Sequence, residues 1–133
     1  MATRCNVKVT DGKDHAWYYR HWDGYPECTG KSLEHFMLWV WSGRVKTLAD
    51  VAYWLIALGA HERADEGCGK FDESDNPATW TMGYYEPTDD MHGDIEYLYE
   101  IDLAAQSLTC QKVADWKNYV PAKFTKVFKV GKP

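Results

Sequence analysis

The stretch from Asp94 to Leu103 constrains the fold more than any other, because Ile95, Tyr97, Tyr99, Ile101 and Leu103 alternate strictly with Asp94, Glu96, Leu98, Glu100 and Asp102. A period of two sends successive side chains to opposite faces of a strand. This segment therefore belongs in a sheet with one face in a core and the other acidic. Partner strands are legible nearby. Cys5, Val7 and Val9 alternate with Asn6, Lys8 and Thr10, Asp11-Gly12 makes a turn, and His15 to His21 is extended and aromatic, which together spell a hairpin. Residues 104–107 turn the chain into Leu108 to Val113, Phe124 to Val130 alternates again as a last strand, and Thr79 to Glu86 reads as a further aromatic strand.

Two helical patterns lie between these hairpins. Leu33, Phe36, Met37 and Val40 recur at helical spacing behind Ser32, which reads as an N-cap, and Ser42-Gly43 ends the run. Thr47 and Asp50 resemble a capping box ahead of Leu48, Val51, Ala52, Leu55 and Leu58, and Gly59 reads as the stop of that second helix. Residues 60–78 then hold Glu62, Asp65, Glu66, Asp72, Glu73 and Asp75 and read as a long irregular loop. The expected architecture is one α+β domain over residues 1–133, with an antiparallel sheet built from N-terminal and C-terminal hairpins and packed against two short helices.

At 133 residues and 45% hydrophobic content one core is expected. Seven Trp and nine Tyr are more large rings than such a core covers, so some should line a pocket or a partner interface. The net charge of −5 conceals an uneven distribution: residues 61–102 hold 13 acids against 2 bases, while residues 103–133 hold 1 acid against 6 bases. A solvated acidic loop explains the first excess; an acidic face for a basic partner is the sharper alternative. Cysteines 5, 28, 68 and 110 form no CxxC pair and no leader-like apolar run opens the chain, which favours a reduced cytoplasmic setting. No apolar stretch approaches the ~20 residues of a membrane span, so a soluble protein is expected.

The densest concentration of recognition chemistry is Trp17 to Ser32, WYYRHWDGYPECTGKS. Aromatic faces give contact area at low entropic cost, Arg and His give directional hydrogen bonds, and Asp-Gly before Pro fixes a turn. Tyr18, Arg20, His21, Trp22, Asp23 and Tyr25 are the expected binding residues, with Trp22 and Tyr25 as anchors and Arg20 and His21 as donors. Trp39 and Trp41 lie off the apolar stripe of the first helix and are expected at a dimer or partner contact, while Asp72, Glu73 and Asp75 would add electrostatic attraction.

No catalytic or metal motif is complete. Gly24 to Ser32 ends in Gly-Lys-Ser, but five residues separate Gly24 from Gly30 and one is Pro26, which lacks the N–H that a phosphate loop needs. His21 and Asp23 have the chemistry of an acid–base pair, but a His and Asp so placed in a turn are more often structural, with Asp23 bonding its own backbone and His21 half-buried against Trp22. Cys28 and His35, like His61 and Cys68, are seven apart, which makes no compact chelate; Cys5 and Cys110 read as buried apolar residues, Cys28 and Cys68 as reduced loop residues. No metal, cofactor or catalytic residue is assigned. The scattered C-terminal lysines lack an arginine fork and make no phosphate track, so direct sequence-specific nucleic-acid binding is not expected.

The segment Tyr19-Arg20-His21-Trp22-Asp23-Gly24-Tyr25-Pro26, between an N-terminal hairpin and two short helices ending in Trp54-Leu55-Ile56-Ala57-Leu58-Gly59, resembles a group of small phage and prophage proteins of unassigned function. The resemblance covers about the first half of the chain and implies a phage origin and action in the host cytoplasm. It carries no catalytic residues. The leading expectation is a non-enzymatic phage accessory protein, with counter-defence as one such role, that binds and inhibits a host protein or sequesters a small nucleotide signal. The alternatives are a small enzyme acting on a nucleotide or modified protein through His21 and Asp23, and a structural component of the virion. A homodimer is compatible with each.

Overall fold

The computed structural model describes residues 3–65, 83–113 and 124–133. Strands β1 (Cys5–Thr10) and β2 (His15–Arg20) are followed by a wide π-type turn at Pro26–Gly30 and by helices α1 (Lys31–Trp41) and α2 (Leu48–Asp65). Strands β3 (Glu86–Thr88), β4 (Tyr97–Asp102), β5 (Ser107–Val113) and β6 (Phe124–Val130) complete the order. All six strands share one sheet in the order β3-β2-β1-β4-β5-β6. The architecture is α+β and the sheet mostly antiparallel; the parallel pair is β1 with β4, registered Cys5 to Tyr97 through Thr10 to Asp102.

Local chemistry sets the element ends. Asp11 Oδ1 accepts from the backbone N–H groups of Lys13 and Asp14, and Gly12 takes φ +96°, which closes the β1–β2 hairpin. Those two N–H donors hold the Asp11 carboxyl below its usual range. Asp50 N–H donates to Thr47 Oγ1 at 3.1 Å while Thr47 N–H donates back to Asp50 Oδ2 at 3.1 Å, the reciprocal cap that the Thr47 and Asp50 spacing predicts. At α1 the expectation differs from the outcome. Ser32 lies inside the helix instead of capping it, because the π-type turn runs directly into α1.

Both helices cover one face of the sheet, α1 over β5 and α2 over β1. Cys5, Val7, Val9, Tyr99, Ile101, Leu108 and Cys110 rise from the sheet to meet Leu33, Phe36, Met37, Val40, Val51, Leu55 and Leu58 in one core. The chain returns to β4 across the opposite face, where Ile95, Leu98 and Tyr19 form a smaller cluster. Buried Asn6 fastens that crossing, donating to the Tyr18 carbonyl at 2.8 Å and accepting from His92 N–H at 2.8 Å. A crossing of this kind is what brings β4 alongside β1 in parallel.

Helix α2 does not stop at Gly59 but runs on to Asp65. Gly59 is needed for another reason: a Cβ there would stand 2.7 Å from the Tyr85 ring and 3.0 Å from the Tyr84 backbone nitrogen. A Cβ on Gly83 would likewise run into the Ala60 backbone nitrogen. Two glycines therefore let the backbone of α2 touch the backbone of residues 83–85, and that contact builds the site. Residues 83–85 are not in a strand; β3 begins at Glu86, later than the Thr79 to Glu86 strand expected, and Thr79 to Met82 lie outside the described residues.

Candidate functional site

The site has a sealed polar base and an open aromatic mouth. Arg20, last residue of β2, points with Tyr18 toward the helix layer and is 1% exposed. Its guanidinium donates to the Trp22 carbonyl at 2.8 Å, to the Tyr85 hydroxyl at 3.1 Å and to Glu62 Oε2 at 3.4 Å, and one amine lies 3.4 Å from Cys28 Sγ. Glu62, on α2, is also fully buried, so the two charges form an ion pair shut off from water. Ser32 Oγ bonds to the other oxygen of Glu62 and lies 2.7 Å from the Tyr85 hydroxyl. Because a carboxylate only accepts, the proton order is fixed: Arg20 donates to Tyr85, Tyr85 to Ser32, and Ser32 to Glu62.

This closed ring of hydrogen bonds satisfies a cation and an anion together, which is the condition under which a buried pair is tolerated. Burial alone disfavours the Arg20 cation, and Tyr85 and Glu62 more than offset it. Burial pushes the Tyr85 phenol well above its usual range, so it stays a donor at any ordinary pH.

Arg20 also lies against the faces of Tyr84 and Tyr85, 4.5 and 5.1 Å from their ring centroids. The buried pair thus positions what lies in front of it. A cavity of about 530 Å³ opens there, lined by His21, Trp22, Ile56, Arg63, residues 83–85, Glu86 and Pro87. Trp22 is 51% exposed. Arg63 is exposed and reaches the Tyr84 ring at 5.9 Å, and it makes no ion pair among the described residues. His21 packs edge-on to Trp22, its Nδ1 2.8 Å from the Tyr19 hydroxyl. Tyr19 is in turn stacked on His92 with centroids 3.9 Å apart.

The residues expected to bind therefore divide. His21 and Trp22 line the cavity. Arg20 is corrected from surface donor to buried positioning residue, since every face of its guanidinium is occupied. Tyr18 is corrected as well, being 2% exposed within the main core. Asp23 adopts φ +56° in the connecting turn, where its carbonyl accepts from Thr29 Oγ1 at 2.7 Å. Its carboxylate faces Tyr25, whose phenol it pushes up. No hydrogen bond joins His21 to Asp23 among the described residues, because Tyr19 holds His21 instead. Tyr25 is half-buried beside the π-type turn and does not line the cavity.

Trp39 is corrected from a contact residue to a core residue: it is 4% exposed, its ring 5.0 Å from that of Trp54 and 5.8 Å from Phe36. Trp41 is half-buried, donates its indole N–H to the Gln106 carbonyl at 2.9 Å and does not line the cavity. It borders a separate groove with Lys31, Glu34, His35, Leu38 and Val130. Asp72, Glu73 and Asp75 lie outside the described residues.

Cys5 and Cys110 are buried free thiols, pushed up to about 12 and about 11 by burial. Cys28 is buried and disulfide-bonded, which corrects the reduced state expected for it; Cys68 lies outside the described residues. No helix among the described residues is long and apolar enough to cross a membrane.

Sequence reasoning missed Glu62, Ser32, Tyr84, Tyr85 and Arg63. The signal for Glu62 was present: Val51, Leu55, Leu58 and Glu62 follow one another by four, three and four residues, so Glu62 shares the buried face if α2 continues through Gly59. Compared with protein-family models, with curated proteins and with solved structures, the chain matches none.

Proposed function

We propose that the protein is a non-enzymatic binding protein that acts by holding a ligand in the cavity between Trp22 and residues 83–87. The observation that carries this reading is the cavity itself: about 530 Å³, walled mainly by aromatic and aliphatic side chains, with His21, Arg63 and Glu86 as its few polar groups. That size and lining fall within the roughly 300–1,000 Å³ and mostly apolar character of small-molecule sites. The preorganisation behind the cavity supports the same reading. Arg20 grips the Trp22 carbonyl and stacks on Tyr84, so two of the walls are fixed before any ligand arrives, which lowers the entropic cost of binding.

Binding is favoured over turnover by where the reactive groups lie. The Ser32 hydroxyl is buried and engaged at both ends, the Cys5 and Cys110 thiols are buried, and His21 is oriented by a phenol where the expected acid–base pair required Asp23. The resemblance of the YRHWDGYP segment to phage proteins supports a host cell as the setting and a sequestering or inhibitory role there.

The test is affinity capture of the tagged protein from a bacterial host lysate beside a Trp22→Ala variant, with mass spectrometry of co-purifying proteins and of small molecules released by heat. A species held by the wild type and lost from the variant supports the reading. An identical inventory from both would refute it.

A further inference from the structure

Resting on the cavity being a binding site, we propose that its ligand class is the nucleoside monophosphate, with a planar base against the Trp22 and Tyr84 rings and the phosphate on Arg63 and His21. Charge, shape and hydrogen-bonding capacity all narrow the choice. Two guanidinium groups lie near Tyr84, Arg20 on a buried side at 4.5 Å and Arg63 at 5.9 Å from the ring centroid. The charge of Arg20 is balanced by Glu62, whereas exposed Arg63 makes no ion pair among the described residues. A cationic ligand would be repelled at this wall, and a phosphate would complete it, since a guanidinium offers a planar fork that phosphate oxygens fit.

His21 supplies a second donor. The Tyr19 hydroxyl lies 2.8 Å from His21 Nδ1. In the tautomer in which Tyr19 donates to Nδ1, the imidazole presents its Nε2–H on the side of the ring that Tyr19 does not occupy. Tyr19 acts as a positioning residue, itself held by its stack on His92.

Glu86 adds an exposed carboxylate, and the other lining side chains are apolar or aromatic: the exposed Trp22 ring, Ile56, Tyr84, Tyr85 and Pro87. Aromatic rings bind any nucleobase by stacking, because every base has a π-face. An aliphatic phosphate ester would leave these rings uncovered, and an uncharged aromatic would leave Arg63 unused. Both halves of the cavity are used only by a ligand that joins a planar ring to an anion at short range. The volume suits a mononucleotide and not an oligonucleotide, consistent with the absence of a basic track.

The probes are the four nucleoside 5′-monophosphates, the matching nucleosides and inorganic phosphate, titrated by calorimetry and tryptophan fluorescence. At least one monophosphate is expected to bind about ten-fold or more tightly than its nucleoside. Arg63→Gln should erase most of that difference by weakening the monophosphate far more than the nucleoside, and Trp22→Ala should weaken nucleoside and monophosphate alike. Both side chains are exposed, so the variants should melt with the wild type. Tyr19→Phe should weaken the monophosphate and spare the nucleoside, which a merely structural role would not do.

Equal affinity for nucleoside and monophosphate, or no effect of Arg63→Gln, would overturn the assignment. Inorganic phosphate binding as tightly as the nucleotide would overturn it too. If no probe binds while Trp22-dependent capture from a lysate persists, the ligand class fails and the binding site stands. Loss of both would remove the site.

Discussion

Replacing Glu62 by glutamine should be among the most destabilising single changes in this protein, although the two side chains have nearly the same shape. The reasoning starts from burial. Arg20 and Glu62 are 1% and 0% exposed, and their oxygen–nitrogen separation is 3.4 Å. The substituted amide would keep an acceptor for Ser32 but leave the Arg20 cation in the interior without a counter-charge. Breaking a buried pair in this way costs about 3–5 kcal/mol. For a chain of this size each kcal/mol lowers the melting temperature by roughly 3–5 °C, so a fall of about 10–20 °C is expected. Arg20→Met should cost a similar amount, since it strands the carboxylate and frees the Trp22 carbonyl. The double variant Arg20→Met, Glu62→Leu removes both charges and should cost less than the sum of the singles by about 2–3 kcal/mol. Urea unfolding followed by tryptophan fluorescence measures all three. A loss below about 1 kcal/mol for Glu62→Gln, or strict additivity in the double variant, would refute the argument that the pair is sealed and mutually dependent.

Further outcomes follow from other parts of the structure. Alanine for glycine inside a helix ordinarily stabilises by about 1 kcal/mol, but Gly59→Ala should destabilise by about 1–3 kcal/mol, because its Cβ would meet the Tyr85 ring and the Tyr84 backbone; a rise in melting temperature would contradict the contact. Asp50 is held below its ordinary value of 3.8 first by the Lys46 and Thr47 N–H groups. Its contribution to stability is therefore full above that value and lost as pH falls through the lower folded value. Thr47→Ala, Asp50→Asn should flatten the acid limb of a stability–pH curve, and an unchanged limb would exclude the cap as its source. Thiol titration after denaturation without reductant should find Cys5 and Cys110 reactive and Cys28 unreactive, and fewer thiols than the four counted after reduction. In the native state at neutral pH those two should react slowly, since burial raises both. Four thiols without reductant would exclude the disulfide.

Strand alternation and turn chemistry were sufficient for most of the sheet: β1, β4 and β6 lie where their period-two patterns place them, and β2 and β5 follow the turns that precede them. The capping pair Thr47 and Asp50 was legible for a similar reason, as the chemistry is local. What local pattern could not carry was long-range contact. Gly59 looked like a helix stop since glycine often is one, yet its role is to admit the backbone of residues 83–85, a partner more than twenty positions away. Ending α2 too early turned Glu62 into a loop acid and hid the ion pair with Arg20. Trp39 was misjudged on a related ground: α1 is covered on more than one side, by the sheet and by Trp54 of α2, so its buried arc is wider than the stripe of Leu33, Phe36, Met37 and Val40. His21 and Trp22, which line the cavity, stood out in the sequence because a polar–aromatic turn has little structural use for an exposed indole.

Hydrogen exchange, measured with and without the species captured by the wild type and lost from the Trp22→Ala variant, tests the central claim that the cavity is where this protein binds. The account expects added protection to gather on the segments that carry the cavity's lining residues: His21 and Trp22, the stretch of α2 from Ile56 to Arg63, and residues 83–87. Protection gathered on Lys31–Trp41 and Phe124–Val130, which border the separate groove at Trp41, with the cavity segments unchanged, would contradict it.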